Sequence, residues 1–218
     1  MLTILHQDEA LVAIDKPSGL LVHRGWGDDE VVAMTLVRDA LGAWVYPVHR
    51  LDRGTSGVLL FALSSEVARL LQAEFEAHRV QKRYLALVRG VPPDHIRIDH
   101  PIPRSEDGPR APAVTEVRRL HSVLQYSWVE ARPESGRLHQ VRRHLKHISH
   151  PLIGDVRYGK GDHNRHFRSE YGLHRLALHA AGMTFTHPIR GTPLELRAPL
   201  PEDLRGPLER WGLPSALW

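Results

Sequence analysis

The stretch that most constrains this chain is His49-Arg50-Leu51-Asp52-Arg53-Gly54-Thr55-Ser56-Gly57, running straight into Val58-Leu59-Leu60-Phe61-Ala62. A continuous apolar run bounded by turn formers predicts a buried strand. Gly54 and Gly57 supply the backbone freedom that a tight entry to such a strand requires. One carboxylate, Asp52, thus stands at the rim of a core element between two guanidinium groups that favour its ionised form. Taken alone, the window also fits a salt-bridged acid in a loop.

The rest of the pattern is irregular. Leu2–Leu5 and Leu11–Ile14 read as short strands, and Lys16-Pro17-Ser18-Gly19 as a turn leading to a return strand at Leu20–Val22, towards His23 and Arg24. Residues 31–41 carry a helical repeat that stops at Gly42. Ser64-Ser65-Glu66 starts a second helix, with Val67, Leu70, Leu71 and Phe75 on one face. Gln81–Val88 is a strand with a basic lead and Tyr84 at its boundary. Residues 91–112 hold six prolines and read as a loop or a connection between halves. Strands resume at Ala113–Val117 and Tyr126–Ala131. Leu138, Val141, Leu145 and Ile148 then form one inward stripe on a helix that Pro151 ends.

Gly154–Gly159 reads as a glycine-bounded loop, and 160–172 as a polar, mobile segment. Arg175–Ala181 and Met183–Thr186 look like apolar structure near the core, Leu194–Arg197 like a last strand, and Pro201–Trp211 like a closing helix. Strands and helices alternate without a βαβ rhythm, so an α+β fold is expected, as a single domain over 1–218.

Charge and composition narrow the chemistry. With no cysteine, disulfides, thiol nucleophiles and cysteine metal sites are excluded, and a reducing cytoplasm is the compatible location. No membrane span and no secretion signal can be read. The net charge is +4, and eight of the fourteen residues from Arg137 to His150 are Arg, Lys or His. Such clustering fits a polyanionic partner. Arg142 lies on the shoulder of the apolar stripe, where it can reach a cleft, whereas Arg143 and His147 must face solvent or a ligand. A metal site on His139, His144, His147 and His150 is disfavoured by the adjacent Arg143 and Lys146. A non-catalytic RNA-binding module uses the basic helix but gives no reason for Asp52.

These residues together resemble the RluA family of pseudouridine synthases. His49–Asp52 with Thr55–Gly57 matches its signature, and Asp15–Gly19 its early turn. Lys82-Arg83-Tyr84 resembles the tyrosine motif and Gly136–Arg142 the arginine motif, continued by Pro151–Asp155. Arg175–Ala180 resembles the final motif. Asp15 departs from a common Asn, Leu138 from Thr or Lys, and 99–130 is short.

The resemblance implies a central, mainly antiparallel mixed sheet flanked by helices, with an active-site cleft between two halves and no separate S4 domain. It implies isomerisation of uridine to pseudouridine in RNA, with no metal and no cofactor. Asp52 falls on the catalytic aspartate, Tyr84 on the active-site tyrosine and Arg142 on the arginine paired with the aspartate. Arg50 falls on the residue that fills the gap left by the flipped base, and Leu176 on the wall of the uracil pocket. Lys82, Arg83, His139, Gln140 and Arg143 are then expected to contact RNA, chiefly its phosphates. The start Leu2–Glu9, Ser64–Glu66 and Arg142–Leu145 resemble family members acting on uridine 65 of the tRNA acceptor stem, and a ribosomal RNA site is the alternative. A monomer is the default expectation. Attack of Asp52 on C1′ and removal of the C2′ proton to give a glycal both remain open.

Overall fold

A computed structural model describes residues 2–23, 31–103 and 108–217. The chain divides into two compact units, Met1–Gln81 with Ala180–Pro199, and Lys82–His179 with Leu200–Trp218. Its elements run β1 (Thr3–Gln7), β2 (Leu11–Lys16), α1 (Ala33–Leu41), β3 (Tyr46–Pro47), β4 (Ser56–Ala62), α2 (Ser65–Glu76), β5 (Gln81–Arg89) and β6 (His95–Asp99). They continue as β7 (Ile102–Pro103), β8 (Arg110–Ala111), β9 (Val114–Val123), β10 (Tyr126–Pro133), α3 (Gln140–His147), α4 (Gly161–Tyr171), β11 (Leu178–Thr186), β12 (Pro193–Arg197) and α5 (Glu202–Trp211). The fold is mixed α/β, with mainly antiparallel strands flanked by helices, as expected. Among the described residues no helix is long and apolar enough to cross a membrane.

In the first unit β2 lies between β1 and β4, antiparallel to both, and β12 pairs with β11. Every residue of β4 is buried, as are Leu11 to Ile14 of β2. A strand covered on both faces needs an unbroken apolar run rather than alternation, which is what Val58–Ala62 supplies. α2 starts where its cap predicts, the Ser64 hydroxyl accepting from Val67 N at 3.2 Å, and its buried Val67, Ala68 and Leu71 pack with Leu60 and Phe185.

The second unit carries the antiparallel order β5-β10-β9-β6. Here the reading of 91–112 as a loop is corrected. His95-Ile96-Arg97-Ile98-Asp99 is an edge strand, paired over its length with β9, and its prolines flank it rather than interrupt it. The polar segment 160–172 is mostly helical, because α4 spans most of it. Phe167 is its one buried anchor, and Gly172 closes it at φ 70°, so the inward periodicity is too sparse to read. Leu20–Val22 forms no strand but one isolated bridge, Leu21 to Val32, and Arg24 lies outside the described residues. Leu138 precedes α3, whose stripe is Val141, Leu145 and the flanking Ile148.

Gly57 is the tightest point of β4. It adopts φ +109°, and a Cβ there would lie 2.2 Å from the Ala180 carbonyl oxygen. Gly57→Ala is therefore expected to destabilise the protein by roughly 2–4 kcal/mol, through strain and displaced backbone. Urea unfolding measures this, and an unchanged midpoint would show that β4 and β11 have room to separate.

Candidate active site

Asp52 sits half-buried in a loop whose backbone is fixed from three directions. At its start, His49 Nε2 accepts from Leu60 N at 3.0 Å, and the ring stacks on Phe75 with centroids 5.3 Å apart. Within the loop, Thr55 N donates to the Asp52 carbonyl at 3.0 Å. Beneath it lies Lys16, fully buried, whose Nζ donates to the carbonyls of Pro17 at 2.9 Å, Leu20 at 2.7 Å and Arg53 at 3.3 Å.

The early turn is thereby sewn to the aspartate loop. Gly19 N donates to Arg53 O at 2.8 Å, Arg53 Nε returns to Gly19 O at 3.0 Å, and the Ser18 hydroxyl donates to Gly54 O at 2.9 Å. Two motifs more than thirty residues apart in the chain act as one structure. Arg50 is exposed.

In the second unit, α3 carries Arg142. Val141 and Leu145 point into a cluster with Ala86, Val129, Ala131 and Leu176, against which Tyr84 packs half-buried. Tyr84, Leu176 and the inner face of α3 are thus brought together. Arg142 is buried, and Asp155 holds it bidentately, Nε to Oδ2 at 2.7 Å and Nη2 to Oδ1 at 3.0 Å. Burial alone raises a carboxyl pKa, but here the Arg142 guanidinium and the amides of Tyr158 and Arg157 outweigh it and hold Asp155 below its ordinary range. No sequence signal beyond the recurrence of Gly154-Asp155 after the arginine motif pointed to this partner. Asp52 belongs to the first unit and Arg142 to the second.

The family described as RNA pseudouridylate synthase matches residues 10–147. The chain belongs to the RNA pseudouridylate synthase family. It is 45% identical to tRNA pseudouridine synthase C of Pectobacterium carotovorum over 97% of its length, though it spans 62% of that relative. The synthase of the same name from Salmonella typhimurium is 43% identical, with 97% of this chain and 90% of that one covered. Among solved structures, human RNA pseudouridylate synthase domain containing 4 superposes with a TM-score of 0.79 at 30% identity, covering 95% of this chain and 92% of the other.

Two residues expected at RNA, Gln140 and Lys82, are buried. Gln140 is buried, its Oε1 accepting from the Ser135 hydroxyl at 2.7 Å and Arg137 N at 3.0 Å, and its Nε2 donating to Val114 O at 2.8 Å. It fastens the turn before α3. His144 is fully buried, with Nε2 donating to His100 O at 2.9 Å and Nδ1 accepting from the Thr115 hydroxyl at 2.8 Å. Burial pushes its pKa down, and neither ring nitrogen is left for a metal.

His139 and Arg143 both meet the Tyr158 hydroxyl, Nδ1 at 3.0 Å and Nε at 2.9 Å. Arg83, half-exposed, pairs with buried Glu130 at 2.5 Å. His147 stacks on His100 with centroids 3.7 Å apart.

Lys82 is the clearest difference from a phosphate contact. It is 9% exposed, and its Nζ donates to the carbonyls of Ser135 at 3.1 Å and Glu134 at 3.4 Å. Desolvation pushes its pKa down to about 8 from 10.5. The folded protein therefore releases this proton at a lower pH than the unfolded chain does. Between these values the unfolded state binds more protons, so stability rises with pH. Comparing urea unfolding of the wild type and Lys82→Met at pH 8 and pH 10.5 is expected to show the wild type gaining on the order of 2–3 kcal/mol relative to the variant. Parallel pH profiles would contradict the assignment.

Proposed function

We propose that this synthase isomerises uridine to pseudouridine in tRNA, at uridine 65 of the acceptor stem, in the cytoplasm. The observation that supports the substrate is the similarity, over 97% of this chain, to relatives named tRNA pseudouridine synthase C. The chemistry is supported by the Asp52 loop, which buried polar contacts hold in place, and by the oriented guanidinium of Arg142.

The reaction breaks the bond from ribose C1′ to uracil N1, turns the base and rejoins it through C5. Asp52 assists at the sugar by attack on C1′ or by taking the C2′ proton. Arg142 provides a planar cation that favours a carboxylate over its acid form. Tyr84 accepts or relays the C5 proton and stacks on the base. Leu176, buried in the cluster beside Tyr84, is part of the apolar wall that detains the detached uracil. A paired uridine has to be extruded at a cost of a few kcal/mol, and the exposed Arg50 fills the vacated place. Arg143 and Arg83 meet phosphates from half-exposed positions.

The test is to incubate the enzyme separately with tRNA and with ribosomal RNA, and to map pseudouridines by carbodiimide-dependent primer stops. A new stop at uridine 65 of tRNA and none in the ribosomal sample is expected. Stops confined to ribosomal RNA would overturn the tRNA assignment.

A further inference from the structure

The Gly154–Gly159 loop is built more elaborately than a connection requires. Asp155 is fully buried at its side chain and Arg142 is 11% exposed. Besides gripping Arg142, Asp155 Oδ1 accepts from the amides of Arg157 and Tyr158, each at 3.0 Å. That turn sets the Tyr158 ring against the Arg142 guanidinium, whose carbon lies 5.1 Å from the ring centroid. α4 braces the same loop, Asn164 Oδ1 accepting from Gly154 N at 2.8 Å while Nδ2 donates to Asp155 O at 3.0 Å. The loop has no slack: a Cβ at Gly154 would lie 1.9 Å from Arg175 O, and one at Gly159 would lie 2.3 Å from Asp155 O.

An ion pair this deeply buried is a weak source of stability, because desolvation of both charges offsets their attraction. What it supplies is direction. An arginine side chain has several rotatable bonds, and a carboxylate on both Nε and Nη2 fixes the guanidinium plane.

We propose that Asp155 is a positioning residue for uridine isomerisation, acting by holding the Arg142 guanidinium in one orientation, with Asn164 bracing the loop that carries it. This rests on the reading of Arg142 as an active-site cation. Asp155 does not touch the uridine. Its carboxylate lowers the net charge beside Arg142, so its benefit lies in geometry rather than in field strength.

Single-turnover pseudouridine formation is measured at saturating enzyme on transcribed tRNA, for the wild type, Asp155→Asn, Arg142→Lys and the double variant. The dissociation constant for the same RNA and the near-ultraviolet circular dichroism are recorded alongside. Misplacing a reacting group costs on the order of 100-fold in rate, which is the loss expected for Asp155→Asn, with RNA affinity within about threefold of wild type. The double variant is expected to be no slower than the slower single variant, because both changes remove the same oriented cation.

Losses that multiply in the double variant, or a wild-type rate in Asp155→Asn with Arg142→Lys impaired, overturn the positioning role alone. A wild-type rate in Arg142→Lys overturns the reading of Arg142 and the proposal with it. Should Asp155→Asn fail to fold, Asn164→Ala takes its place. As a single change it is expected to slow the enzyme roughly tenfold, and to cost nothing further when added to Arg142→Lys, again with RNA affinity unchanged. A wild-type rate in Asn164→Ala then overturns the proposal.

Discussion

A buried ammonium group underlies the arrangement of the first unit. Lys16 has no solvent-exposed surface, and bringing such a charge out of water costs several kcal/mol unless hydrogen bonds replace the lost hydration. Three backbone carbonyls do so, two from the turn that follows β2 and one from Arg53, next to Asp52. Because the acceptors are main chain, the lysine holds the path of the loop rather than any one side chain. The reciprocal bonds between Gly19 and Arg53, and the Ser18 bond to Gly54, tie the same two segments. Asp52 is therefore placed by its backbone, on a rim rather than inside the core.

The second unit solves an equivalent problem with carboxylate and amide groups. Gln140 uses both ends of its amide to pin the turn before α3 and to anchor that helix to Val114 of β9. Asp155 then orients Arg142 from the following loop. Breaking a buried pair of this kind by removing one partner leaves an uncompensated charge, typically a loss of about 3–5 kcal/mol. Such hubs are costly, and they sit where candidate groups of a pseudouridylate synthase have to be held still.

Strong periodicity and caps were legible in the chain: the apolar run of β4, the Ser64 cap of α2 and the Val141–Leu145 face of α3. Long-range partners were not. Nothing in the local pattern links Lys16 to Arg53 or Arg142 to Asp155, because those bonds depend on tertiary contact between segments that folding brings together. Lys82 and Gln140 were expected at RNA because of the motifs that carry them, yet polar side chains are buried readily when backbone carbonyls or hydroxyls satisfy them. The alternation in Ile96 and Ile98 was present, but the prolines around it outweighed it. α4 was hidden because a single phenylalanine anchors it, which leaves no stripe for a helical period to reveal.

The proposed chemistry turns on the charge of one carboxylate. Asp52→Asn keeps the size and shape of that side chain and removes its ability to act as nucleophile or base. The decisive measurement follows pseudouridine formation and RNA binding by this variant on one tRNA sample. RNA affinity within about threefold of wild type is predicted, with no pseudouridine above background. Turnover at the wild-type rate would contradict the role given to Asp52.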